Sequence, residues 1–169
     1  MKKLIPMAGI VVGLASTTGI AAAHVRVFAQ DGSQVAKACG YEKFVVRVPV
    51  EKPIDTVGVN LVIPPAITVF ATQPKAGWHA ELKMDRGRVS EIDWSGGALH
   101  PHEFDEFAFL AATPRTPMTV DWNADQIYDD RSIVHWTGAP GSETPHSQTT
   151  IERNDAVCRA HAASGGRKK

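Results

Sequence analysis

His24 has the most distinctive chemical prospects in this chain. It follows Ala21-Ala22-Ala23, a small-x-small run of the kind that signal peptidases cut. Cleavage after Ala23 would make His24 the first residue of the mature protein. An N-terminal histidine carries two nitrogen donors side by side, its free α-amine and its ring Nδ1. Both can bind one metal ion and close a six-membered chelate ring. The α-amino pKa is about 8, roughly two units below a lysine's, so a metal displaces its proton easily at neutral pH. Nitrogen donors of this type suit Cu(II), which also tops the divalent affinity order. By itself a leading histidine is a weak signal, because exported chains that begin with one need not bind anything.

The metal argument depends on what precedes His24. Lys2 and Lys3 form a short positive region. An apolar run from Leu4 to Ile20 follows, interrupted by Gly9, Gly13 and Ser16-Thr17-Thr18. Residues 1–23 therefore read as a secretory signal peptide; the run is short for an uncleaved membrane anchor. No second long apolar run appears, so the mature chain is expected in the periplasm or outside the cell, with no membrane span.

Composition agrees with a small exported globular protein. The 169 residues are 43% hydrophobic and 21% charged, which suits one folded domain and argues against wholesale disorder. Lys+Arg and Asp+Glu balance at 18 each, so the chain lacks the basic excess a nucleic-acid binder needs. Loss of Lys2 and Lys3, with Arg167-Lys168-Lys169 confined to the tail, leaves a mildly acidic body that suits cations. The two cysteines, Cys39 and Cys158, are expected to form one disulfide in an oxidising compartment. Closing so long a loop contributes on the order of 4 kcal/mol in the chain-entropy account. A shared metal site is the alternative, but neither cysteine has a Cys or His neighbour at a zinc-type spacing.

The elements that must position these residues read as strands. Tyr41–Pro49 alternates, with Phe44, Val46 and Val48 on one face and Lys43 and Arg47 on the other. Thr56–Ile63 repeats the pattern through Val57, Val59, Leu61 and Ile63, as a half-buried antiparallel strand requires. Further strands are predicted over His24–Ala29, Thr68–Thr72, Trp78–Met84, Val89–Trp94, Phe104–Ala111, Thr119–Trp122 and Ile133–Trp136. Pro64-Pro65, Pro74-Lys75-Ala76-Gly77, Asp85-Arg86-Gly87, Gly96-Gly97, Thr113-Pro114 and Asn123-Ala124-Asp125 read as the turns between them. Short strands at near-regular spacing predict an all-β sandwich or barrel. A short helix is weakly signalled within Ile151–Ala163, and the small, basic Ser164–Lys169 segment reads as disordered. The expected organisation is a signal peptide over 1–23, a β domain over 24–152 and a C-terminal tail over 153–169.

Other polar residues offer weaker sites. His100-Pro101-His102-Glu103 puts three donors within four residues. On an extended stretch His100 and His102 would point the same way and could make a second, weaker metal site. Exposed loop polarity is the plainer alternative. His79, His135 and His146 are isolated in sequence and receive no role. Trp94-Ser95-Gly96-Gly97 lacks the G-x-S-x-G strand-to-helix context of a nucleophile elbow, so no hydrolase is indicated.

One ordered set of short motifs goes further. It comprises His24-Val25, Tyr41 through Val48-Pro49-Val50-Glu51, Pro74-Lys75-Ala76-Gly77-Trp78, Trp94-Ser95-Gly96-Gly97, Glu103-Phe104 with Phe107, Trp136-Thr137-Gly138 and Ser142-Glu143. From His24 to about Ile151 this series resembles the YcnI-like family of exported copper-binding domains. The resemblance implies an immunoglobulin- or cupredoxin-like β-sandwich holding one Cu(II) ion through a single-histidine brace. It assigns the leading histidine to His24, the completing glutamate to Glu51 and the tryptophan beside the metal to Trp136. Without the family, Glu51 is a solvated charge beside Lys52 and Trp136 a core residue of a sandwich. With it, the Glu51 carboxylate offsets part of the cupric charge and Trp136 limits solvent access. The segment holding Cys158 lies beyond the shared motifs, so the disulfide rests on the compartment argument.

The function expected from this reading is copper storage, buffering or delivery without turnover. The partners are then the copper ion and other periplasmic copper-trafficking proteins. Two other classes remain open. A copper-dependent oxidase would need a second histidine ring beside His24, and a metal-free extracytoplasmic interaction domain would need neither.

Overall fold

The computed structural model describes residues 24–165, so the expected signal peptide and residues 166–169 lie outside the described residues. Twelve strands and one helix follow in chain order. They are β1 (Arg26–Phe28), β2 (Val35–Lys37), β3 (Tyr41–Pro49), β4 (Thr56–Val62), β5 (Thr68–Thr72), β6 (His79–Asp85), β7 (Arg88–Leu99), β8 (Phe104–Ala112), β9 (Met118–Trp122), β10 (Ala124–Tyr128), β11 (Ile133–Trp136), β12 (Ser147–Glu152) and α1 (Asp155–Gly165). They form a four-stranded sheet ordered β1-β3-β8-β5, a five-stranded sheet ordered β11-β10-β4-β7-β6 and a three-stranded sheet ordered β2-β12-β9. The chain is an all-β sandwich, and among the described residues no helix is long and apolar enough to cross a membrane.

Alternation sets the core. Phe44, Val46 and Val48 of β3 are fully buried, while Arg47 between the last two is exposed. On the inner face of the four-stranded sheet, Phe44 meets Trp122 of β9 at 5.1 Å between ring centroids and Phe107 meets Trp94 of β7 at 5.3 Å. These tilted aromatic contacts tie the four-stranded sheet to both other sheets, and such pairs add to the area they bury.

The structure departs from the sequence reading at several points. Gly96-Gly97 is not a turn but lies inside β7. A Cβ on Gly97 would stand 2.3 Å from Trp78 Cε2, so the indole lies directly on a backbone that only glycine leaves open. Asn123-Ala124-Asp125 is likewise not a complete break, because β10 begins at Ala124. Short β2 and β12 carried too weak a pattern to be read. The alternation read through Val57 also fails at its first member. A register shift between Thr56 and Gly58 turns Thr56 fully inward and leaves Val57 half-buried. The helix starts at Asp155 and runs to Gly165, past the point where disorder was expected, while Ile151 and Glu152 belong to β12.

The disulfide forms. Cys39 and Cys158 are bonded with Cα atoms 5.1 Å apart, tying α1 to the loop between β2 and β3 across 119 residues of sequence.

Candidate metal centre

The register of β1 and β3 decides where His24 stands. Arg26 lies opposite Arg47, so the chain preceding β1 runs back toward Pro49 at the far end of β3. Val27 N is pinned by the Ser147 hydroxyl of β12 at 2.9 Å, in a buried contact that fixes this strand's position. The His24 ring then lies against Trp136 at the end of β11, with centroids 5.5 Å apart and planes tilted by 52°. Trp136 is itself buried, as its core role required.

A polar relay runs from that tryptophan to the end of β3. Trp136 Nε1 donates to Gln126 Oε1 at 3.2 Å. Gln126 Nε2 donates to the Pro49 carbonyl at 2.8 Å and to Thr56 Oγ1 at 2.7 Å. Gln126 is fully buried, and its amide has both donors and its acceptor engaged. Removing one end of such a bond leaves a buried polar group unpaired, at a cost of about 1–3 kcal/mol. The bulge in β4 is what delivers Thr56 to this network. Gln126 was absent from the candidates read in sequence. Its signal, a polar residue between the buried Ala124 and Tyr128 on the inner face of β10, needs that strand to be known first.

Glu51 stands two residues beyond Pro49 and is exposed. Burial and, after it, the Glu51 charge raise the pKa of Tyr128 above its ordinary value, which places the carboxylate within electrostatic reach of that hydroxyl. The Lys52 ammonium lies 4.4 Å from the Tyr128 ring centroid and 3.3 Å from Ser132 Oγ. Thus His24 and Trp136 meet directly, and Glu51 lies just past the strand end that Gln126 ties to Trp136.

His24 also borders an open cleft of about 330 Å³, lined in addition by Arg26, Gln34, Pro145 and His146. The loop after β11 closes on itself through Gly138 N to the Thr144 carbonyl at 2.9 Å and His146 N to the Gly138 carbonyl at 2.8 Å. These bonds bring His146 back beside the end of β11, only two residues beyond Trp136 at Gly138.

Two of the other histidines are hydrogen-bonded to carboxylates. His100-Pro101-His102-Glu103 is a turn and not extended, with His102 in the left-handed region at φ 68°, so the repeat that would align the two rings is absent. His100 Nδ1 lies 2.9 Å from Asp55 Oδ2, and Glu103 Oε2 accepts the His100 backbone N–H at 2.9 Å. His135 Nδ1 lies 2.7 Å from Asp125 Oδ1, and His79 sits opposite Ser95 on β6.

His24 is different. Its Nδ1 is enclosed by protein and has no hydrogen-bond partner. Nearly all buried polar atoms are paired, so an exception needs an explanation. A nitrogen kept dry and unspent is what a metal ligand must offer. Among the described residues no three His, Cys, Asp or Glu side chains converge as a ready-made cage.

Comparison with known proteins agrees with this architecture. The family model described as "Domain of unknown function (DUF1775)" matches residues 24–153. The chain is 31% identical over 149 residues to the copper-binding protein CutI of Bacillus subtilis (strain 168), across 87% of this chain and 71% of that protein. It also superposes on the crystal structure of an uncharacterized protein from Nocardia farcinica described as having an immunoglobulin-like fold. That match has a TM-score of 0.64 and 27% identity, over 76% of this chain and 97% of the other. The sandwich is thus of the immunoglobulin-like kind, and the chain belongs to the DUF1775 family, the YcnI-like group whose motifs its sequence carries.

Proposed function

We propose that this protein is an exported Cu(II)-binding protein that holds one ion at a single-histidine brace, for storage, buffering or delivery of copper in the periplasm or outside the cell. The observation that carries this reading is the enclosed, unpartnered Nδ1 of His24 against Trp136. The similarity to CutI, a protein named for copper binding, supports the choice of metal. In this reading His24 grips the ion with its α-amine and Nδ1 once the chain has been cut after Ala23. Glu51 supplies the compensating negative charge. Trp136 keeps water from one side of the His24 ring, and Gln126 fixes Trp136 relative to the strand end that leads to Glu51. None of these tasks needs turnover.

The test compares two versions of the chain, one starting at His24 and one keeping a single extra residue ahead of it. The first is expected to bind one Cu(II) tightly and to lose part of its tryptophan fluorescence on binding. The second should lose both, because its amine is displaced and replaced by an amide. Equal affinity in a competition titration would overturn the brace. Mass spectrometry of the exported protein should find His24 first.

A further inference from the structure

β6 (His79–Asp85) ends the five-stranded sheet, and at seven residues it is the longest strand at any sheet edge. Among the described residues no strand pairs its outer side, so a row of backbone N–H and C=O groups stands open there. Such an edge is a template for another strand unless proline, a bulge or an inward-facing charge blunts it. β6 has no proline, and the bulge of its hairpin falls on β7, between Val89 and Glu91. Its core-side positions are all apolar: Ala80, Leu82 and Met84 lie opposite Trp94, Ile92 and Val89. Those β7 partners are buried, whereas Leu82 is 37% and Met84 61% exposed. The apolar layer thus runs on past the place where the facing sheet covers it. The other face of β6 carries Glu81 and Lys83. The Lys83 ammonium is 2.6 Å from Asp93 and also pairs with Glu91. Glu81 stands opposite Asp93, like charge against like, and makes no ion pair among the described residues.

We propose that β6 is the docking edge for a second copy of this chain, the two β6 strands pairing antiparallel about a twofold axis at Leu82. A twofold interface is self-complementary, and cross-strand partners must share a face, so the axis has to fall at a residue and not between two. At Leu82 all seven residues find partners. Leu82 meets Leu82 and Ala80 meets Met84 on the apolar face, while Glu81 meets Lys83 and His79 meets Asp85 on the polar one. An axis at Glu81 or at Lys83 would set that charge against its own copy, which destabilises a pair of strands. An axis nearer either end would leave fewer pairs. The charge pattern therefore selects the register that also pairs the most backbone. In it the unpaired Glu81 carboxylate gains a cation, Leu82 and Met84 gain cover, and two five-stranded sheets become one of ten. β11, which carries Trp136, lies at the opposite edge of the sheet. Both copies of the His24 region thus stay at the outer ends, uncovered, and the pairing does not depend on copper.

Analytical ultracentrifugation of the exported protein should show a monomer–dimer equilibrium that shifts with concentration. Amide hydrogen exchange should slow at residues 79–85 as the concentration rises. Glu81→Lys sets like charges opposite each other at two symmetric places, so the dimer should weaken about tenfold or more. The double variant Glu81→Lys with Lys83→Glu restores opposite charges in the same register and should recover most of that loss. Circular dichroism establishes that the variants fold. The exchange readout needs no variant, so it decides the matter should either one misfold. A parent that stays monomeric across its soluble range, or exchange that slows elsewhere and not in β6, would overturn the proposal. So would a dimer that folded Glu81→Lys leaves as tight, or a folded double variant that associates no better than the single one.

Discussion

Two histidine-bearing regions of this molecule make opposite impressions in sequence and in space. The turn at His100-Pro101-His102-Glu103 is locally dense in donors, yet His100 Nδ1 and Glu103 Oε2 already have partners. His100 is bonded to Asp55, and Glu103 caps the backbone of His100. The region around His24 is sparse in sequence by comparison. Its histidine nevertheless keeps an enclosed nitrogen unspent. What separates the two regions is not the number of potential ligands but whether the fold has already satisfied them. A nitrogen hydrogen-bonded to a carboxylate must break that bond to bind a metal through that same atom, whereas an orphaned one gains its only partner.

The comparison can be broken most directly at its strong end. His24→Ala is expected to lower Cu(II) affinity by at least about 100-fold, beyond what changes around an intact ligand set do, as read by competition titration. An affinity within a few fold of the parent would show that the two regions do not differ as argued. A smaller effect is expected at Gln126→Leu, which leaves Trp136 Nε1 without its acceptor and Thr56 and the Pro49 carbonyl without their donor. Stability should fall by about 2–3 kcal/mol in urea unfolding, with copper affinity down about tenfold. Unchanged stability would remove the relay from the account.

Gly97→Ala sharpens the comparison by separating folding from binding. The added methyl group collides with the Trp78 indole, so it should cost about 1–3 kcal/mol. Copper affinity should nevertheless stay within error, because Gly97 is not among the groups assigned to the centre. A parallel loss of affinity would mean that the centre merely reports global stability. The smallest effect belongs to the committed turn. His100→Ala and His102→Ala should change Cu(II) affinity by less than about threefold, since a donor outside the metal's ligands and their partners has little leverage. Asp55→Ala, which frees His100 Nδ1, should instead let a second, weaker copper equivalent appear in the titration.

Much of the fold was legible because alternation is a local record of which face is buried. β3, β5 and β11 have the limits that their residues predict, and Phe44, Val46 and Val48 lie where period two puts them. The errors fall where a local rule was overridden at a distance. Gly96-Gly97 reads as a turn, but Gly97 leaves room for the Trp78 ring that packs on it from just before β6. Val57 reads as inward, but a bulge set by pairing with β7 gives that place to Thr56.

By itself the sequence determined a β-sandwich with a cysteine pair, a histidine after a run of small residues, and the motifs that name the family. Those are properties of residue type, order and short-range period. Only the tertiary structure decided that Trp136 lies against His24, that Gln126 joins Trp136 to the end of β3, and that His146 shares a cleft with His24. The physical reason is that hydrogen-bond satisfaction belongs to the three-dimensional neighbourhood. Whether an imidazole nitrogen is spent depends on side chains brought to it from strands remote in sequence, which no local pattern records.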